Sequence, residues 1–167
     1  MAGVQGQLYL IGIGSNMRHW RLGPPSAVVR KAMAALDDAC EVIAASAILR
    51  SAPVGPSARD YANAACVVRC ALSPPAMLDL LNGIEHGFGR RRNGQRWRQR
   101  TLDLDILLWS GGAYVDRRLI VPHREMRGRS FVLGPAARIA GNWRDPFTGL
   151  SVRHMHARLT KRRPLPR

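Results

Sequence analysis

No stretch of this 167-residue chain stays apolar long enough to cross a bilayer, which removes an integral helix from its expectations. Cysteine is scarce and odd in number. Cys40, Cys66 and Cys70 lack metal-ligand spacing, which argues against a zinc site or a disulfide framework and for reduced thiols in a cytoplasmic protein. Cys66 and Cys70 would share a strand face, which by itself predicts no bond. The common nucleotide loops are missing too. There is no G-x-x-x-x-G-K-[ST], and Gly12 and Gly14 do not open a G-x-G-x-x-G, because Met17 fills its last position. Acidic residues are few, 11 against 26 lysines and arginines, for a net charge of +15. Lysine is nearly absent, at Lys31 and Lys161 alone. So basic a balance admits nucleic acid, a membrane surface or a small polyanion as partner, and it is also what a solvated arginine-rich surface gives.

What is present falls into alternating elements. Gln7 to Ile13 reads as a first strand and not as a signal peptide, followed by the turn Gly14-Ser15-Asn16. Pro24 and Pro25 suit the start of a helix over Ser26 to Leu36. Strands are expected at Glu41 to Leu49, Asn63 to Leu72 and Leu102 to Trp109. Ser73 is expected to cap a helix with Pro74 in its first turn and Met77, Leu78, Leu80, Leu81 and Ile84 on its buried face. Gly111-Gly112 marks a turn before a short strand at Tyr114 to Asp116, and helices are expected near Phe131 to Ile139 and Ser151 to Leu159. Residues 1–160 read as a single domain and 161–167 as a basic, disordered tail. The order β-α-β-β-α-β predicts an α+β fold with a ferredoxin-like core: an antiparallel sheet, helices on one face, and a C-terminal extension.

The chemistry concentrates in one segment. Arg90, Arg91, Arg92, Arg96, Arg98 and Arg100 crowd in just before the strand Leu102-Asp103-Leu104-Asp105-Ile106. Side chains alternate along a strand, so Asp103 and Asp105 share one face while Leu102, Leu104 and Ile106 take the other. Two carboxylates so close suggest a cation between them, with Mg²⁺ and phosphate oxygens the usual company. Neighbouring arginines suit a polyphosphate. The plainer reading is an amphipathic strand with a solvated acidic face beside a solvated basic loop.

Ordered company favours the first reading. The turn Gly14-Ser15-Asn16, the loop Pro53-Val54-Gly55-Pro56, Asp60-Tyr61-Ala62-Asn63-Ala64-Ala65, Ile84-Glu85, Gly89-Arg90, Arg96-Trp97, Arg100-Thr101-Leu102-Asp103-Leu104-Asp105 and Val121-Pro122-His123 follow one another along the chain. Together they resemble the 6-hydroxymethyl-7,8-dihydropterin pyrophosphokinase (HPPK) family over about Leu8 to Leu150. The resemblance implies transfer of the terminal diphosphate of ATP to the hydroxymethyl group of 6-hydroxymethyl-7,8-dihydropterin, giving AMP, as a step in folate biosynthesis. It implies two Mg²⁺ ions on Asp103 and Asp105, with Arg90 and Arg100 gripping phosphate oxygens and Trp97 closing over the substrates. Ala52, Val54, Tyr61, Asn63 and Phe131 match the pterin side, and Asn82, Glu85, Arg118, His123 and Arg129 the ATP side. A monomer or weak dimer is implied, with no membrane and no nucleic-acid partner.

Departures from the family's usual residues at Arg98, Gln99 and Arg124 keep two relatives of this reading open, a paralogue for a related pterin and a pterin binder without transfer activity. An RNA-binding module is the alternative from another class. It fits the charge but lacks an aromatic stacking pattern on the sheet and would set Asp103 and Asp105 against a phosphate backbone.

Overall fold

The computed structural model describes residues 6–51, 60–89 and 101–161. Strand β1 (Gln7–Ser15) leads into α1 (Pro25–Ala39), then β2 (Glu41–Ala45), β3 (Leu49–Ser51), β4 (Tyr61–Cys70), α2 (Pro74–Gly87) and β5 (Asp103–Trp109). A two-stranded ribbon, β6 (Tyr114–Val115) with β7 (Ile120–Val121), and a 3₁₀ turn (Met126–Gly128) precede α3 (Ser130–Ala140) and α4 (Val152–Thr160).

The main sheet runs β2-β4-β1-β5 with every neighbouring pair antiparallel, and β3 pairs with β4 beyond β2. Strand β1 is central, paired with β4 along its whole length from Gln7↔Cys70 to Ser15↔Ala62. The expected second strand is split. Ser46, buried where β2 stops, accepts the Ala65 N–H on its hydroxyl at 2.9 Å while its own N–H donates to the Ala65 carbonyl. The side chain thus replaces one rung of the ladder, and the chain turns out of register before β3 resumes.

One face of the sheet, with Tyr9, Ile11, Cys66 and Ile106, packs on Val28, Val29, Ala32 and Leu36 of α1 and on Met77 and Leu81 of α2. Pro25 occupies the first turn of α1 and Pro74 that of α2, where a missing N–H costs nothing. Ser73 stands at the N-cap of α2, but its side chain makes no capping bond. The serine that caps is Ser151, which accepts from the His154 N–H at the start of α4.

The expected C-terminal extension returns to the face of the sheet opposite α1 and α2. Leu10, Ala65, Val67 and Leu107 on the opposite face are covered by Leu133, Ala136 and Ala140 of α3 and by Val152 and Met155 of α4. The signal was in β1, whose unbroken apolar run Leu8-Tyr9-Leu10-Ile11 marks a strand buried on both sides. Each fully buried leucine such as Leu133 contributes roughly 2 kcal/mol, so the extension is part of the core. Among the described residues no helix is long and apolar enough to cross a membrane.

Candidate active site

The register brings three strands to one place. Gly14 of β1 faces Asn63 of β4 on one side and Asp103 of β5 on the other. Two residues back, Gly12 faces Ala65 and Asp105. Asn63, Gly14, Gly12, Asp103 and Asp105 therefore share the face that α3 covers farther along. The two glycines leave its floor without side chains. A Cβ at Gly14 would lie 3.3 Å from Asn63 Oδ1, so the Asn63 amide already fills the space above it. Tyr61, two residues before Asn63 and 40% exposed, belongs to the same face, and Phe131, 50% exposed, sits in the first turn of α3. A Gly14→Val variant is expected to displace the Asn63 amide. The predicted result is a rise of about tenfold in the Kd of a pterin ligand with little change for ATP, read by equilibrium titration of each.

Strand β5 carries a bulge at this point. Leu10 pairs with Leu108 but Ile11 with Ile106, so Leu107 is the extra residue. Its carbonyl accepts the His123 N–H at 3.1 Å, just after a cis Val121–Pro122 bond. Bulges often re-aim groups beside functional sites, and this one ties His123 to the aspartate strand. His123 Nδ1 accepts the Glu125 N–H at 3.3 Å, which leaves the proton of a neutral ring on Nε2. That atom is 3.5 Å from Asp105 Oδ1.

Behind the strand, Glu85 is 2% exposed, and its Oε1 accepts the Leu104 N–H at 2.8 Å. This bond holds the backbone between the two aspartates from the α2 side. Glu85→Ala is expected to cost about 1–3 kcal/mol of stability and to lower turnover about tenfold, whereas Glu85→Gln keeps the acceptor and loses less of both. Thermal melts and initial rates on both variants check this.

The remaining expected residues divide. Arg129 lies 3.8 Å from Glu125 one helical turn away, and half-buried Asn82 lies on α2 one turn before Glu85. Arg118 is turned to an ion pair with Asp79 of α2, on the exposed surface. Asp79 and Asp116 both raise the Arg118 guanidinium above its usual value, the hydrogen bond to Asp79 contributing most. Ala52, Val54, Arg90, Trp97 and Arg100 lie outside the described residues.

Sequence reasoning gave no role to three groups near the site. Gly12 and Gly14 form its floor. Ser15 is buried, and its hydroxyl donates to the Thr101 carbonyl at 2.5 Å, fixing the residue before Leu102-Asp103. Asn16 Oδ1 is buried and makes no hydrogen bond among the described residues, an acceptor available to a ligand donor. The segment Gly14-Ser15-Asn16 was visible as a motif and expected to turn, but β1 continues through Ser15, and only strand register shows what Gly14 and Ser15 meet.

Two half-buried carboxylates on one strand face form a hard oxygen donor set. Among the described residues no group of three or more His, Cys, Asp or Glu side chains is arranged to hold a metal. A pair of carboxylates is the kind of donor set that Mg²⁺ commonly shares with substrate phosphates and several waters.

A sequence model of the 7,8-dihydro-6-hydroxymethylpterin-pyrophosphokinase (HPPK) family matches residues 10–141. The chain belongs to the HPPK family. It is 39% identical over 145 residues to the 2-amino-4-hydroxy-6-hydroxymethyldihydropteridine pyrophosphokinase of Synechocystis sp., covering 86% of this chain and 71% of that relative. The protein of the same description from Pseudomonas putida is 42% identical over 118 residues, covering 70% of this chain and 93% of its own. Among solved structures, wild-type Plasmodium falciparum HPPK-DHPS superposes with a TM-score of 0.70 at 10% identity. The match covers 92% of this chain and 45% of that longer one, and at such identity it speaks for the fold alone. HPPK membership accounts for a nucleotide enzyme without either common glycine loop, and ATP is the co-substrate of the family.

Proposed function

We propose that this HPPK-family chain transfers the terminal diphosphate of ATP to the hydroxymethyl oxygen of 6-hydroxymethyl-7,8-dihydropterin, releasing AMP, a reaction of folate biosynthesis. The observation that carries the reading is the row Asn63–Gly14–Asp103 with Asp105 beside it, a pterin-type amide and a carboxylate pair on one glycine-floored face. The strand order β2-β4-β1-β5 with α1 and α2 on one side supports treating the core as ferredoxin-like.

In this reading the Asn63 amide, both donor and acceptor, pairs with the mixed edge of the pterin, and Phe131 and Tyr61 offer rings to its flat faces. Asn16 Oδ1 accepts a further donor from the substrates. Asp103 and Asp105 would hold two Mg²⁺ ions, whose charge would offset that of the phosphates and make the attacking hydroxyl more acidic. His123, its Nε2 proton oriented by the Glu125 bond, donates to a phosphate oxygen or to Asp105. Arg129, Arg118 and Asn82 serve the nucleotide, and Arg118 must exchange its Asp79 partner to do so. Glu85 acts through the Leu104 N–H as a positioning residue. The parts given to Arg90, Arg100 and Trp97, and to Ala52 and Val54 at the pterin pocket, rest on the family resemblance. Gripping phosphates and excluding water are the work such groups do in phosphoryl transfer.

The test is AMP formation by the full chain with ATP and Mg²⁺, with and without the dihydropterin. AMP that requires the dihydropterin supports the proposal. ATP and pterin binding with no AMP would replace it with a binding function.

A further inference from the structure

We propose that Cys40 and Cys70 form a dithiol that thiol–disulfide exchange with a low-molecular-weight disulfide converts to an intramolecular disulfide, a modification site at the end of the sheet remote from the aspartates. Three observations of geometry converge on it. Strands β2 and β4 pair antiparallel with Glu41 opposite Arg69 and Val42 opposite Val68, so the next rung places Cys40 opposite Cys70. Cys40 is already extended, at φ −140° and ψ 167°, although its N–H still serves α1 through the Leu36 carbonyl. Opposed residues in an antiparallel pair have Cα atoms about 4.5–5.5 Å apart, inside the span a disulfide bridges. Both side chains face the same core. Cys40 is buried in it, and half-buried Cys70 packs against it.

The Cys70 thiol lies close enough to Cys40 to help raise the Cys40 thiol above its usual value. The buried Tyr9 hydroxyl stands beside both and donates to the Leu72 carbonyl. Cys66 shares a strand face with Cys70 but is four residues away along the same strand. At about 3.3 Å per residue that is too far to bridge.

The chemistry balances with a small disulfide RSSR as oxidant. Cys70, the more exposed thiol, attacks as thiolate. The S–S bond of RSSR breaks, and RS⁻ leaves and takes up a proton. Cys40 then attacks the Cys70 sulfur of the mixed disulfide and releases the second RSH. Two protein thiols are oxidised and one RSSR is reduced to two RSH. Burial pushes the Cys40 thiol up to about 12, with the nearby Cys70 thiol adding to the rise. The second step is therefore slow at neutral pH and faster as pH rises. The bond would close a loop of about 30 residues carrying β2, β3 and Asn63, and would constrain the unfolded chain accordingly.

The experiment equilibrates the folded full-length protein with excess oxidised glutathione, removes the glutathione, denatures the protein and counts free thiols. One titratable thiol in a monomer, a mass lower by about 2 Da, a Cys40–Cys70 linked peptide and a Tm raised by several degrees are expected. Cys66→Ser should leave the linkage intact, while Cys70→Ser should abolish it without loss of the folded melt. Three thiols persisting at mildly alkaline pH, a linkage through Cys66, or cross-linked dimers alone would overturn the proposal.

Discussion

Asp105→Ala is expected to lower kcat/KM for pterin-dependent AMP formation by roughly a thousandfold or more, and Asp103→Ala to do the same. Loss of a supporting group around a metal typically costs about 10–100-fold, and these carboxylates are the direct ligands in the proposed site. The fold should survive. Asp105 has 31% of its side chain exposed, and its ladder bonds are main-chain. Asp105→Asn separates charge from shape, since it keeps the volume and a partner for His123 and loses the anionic ligand. Initial rates over a Mg²⁺ titration, with a thermal melt on each variant, check this. Wild-type rates in both alanine variants would remove the carboxylate pair from the mechanism.

A second large effect is expected far from the chemistry. Asp145 is fully buried, and it accepts from Arg127 Nε at 2.6 Å and Nη2 at 2.9 Å, from the Phe147 N–H and from the Thr148 hydroxyl. Gly149, at φ 70°, returns its N–H to the Asp145 carbonyl and closes the turn. The carboxylate thereby joins the loop before α4 to the 3₁₀ turn between His123 and Phe131. Asp145→Ala leaves Arg127 without its partner and is expected to cost about 3–5 kcal/mol. Burial alone would raise the Asp145 carboxyl, but the bonds from Arg127, Phe147 and Thr148 outweigh it and hold the group below its usual value. A depressed carboxylate contributes stability above its unfolded pKa and loses it as pH falls through the folded one. The gap between wild type and Asp145→Ala should therefore be full at pH 7 and close progressively below about pH 4. Urea melts across that range measure it. A gap independent of pH would assign the cost to packing and not to the ion pair.

How far the sequence could be read depended on whether a feature was local. Alternation placed Asp103 and Asp105 on one face from five residues, and α1, α2 and β5 fell close to their expected ranges because periodicity and proline position are local. The side of the sheet to which the C-terminal helices return is not local. It depends on Leu10 and Ala65 being apolar beneath Leu133 and Met155, a pairing only tertiary packing reveals. Glu85 shows the same limit within the site. Its place in the family pattern suggested nucleotide contact, and only the fold shows that its Oε1 also accepts the Leu104 N–H. Gly12 read as part of the first strand and Gly14 as a turn signal, and only the three-strand register shows them as the floor between Asn63 and the aspartates. For the cysteines, spacing along β4 predicted no bond, while strand pairing points across it from Cys70 to Cys40.

The identity of the products tests the proposed transfer most directly, followed by ³¹P NMR of the full chain with ATP, Mg²⁺ and 6-hydroxymethyl-7,8-dihydropterin. Diphosphate transfer gives AMP and a pterin diphosphate ester in equal amounts, with no ADP at early times. ADP with a pterin monophosphate, or AMP with free diphosphate and an unchanged pterin, would contradict it.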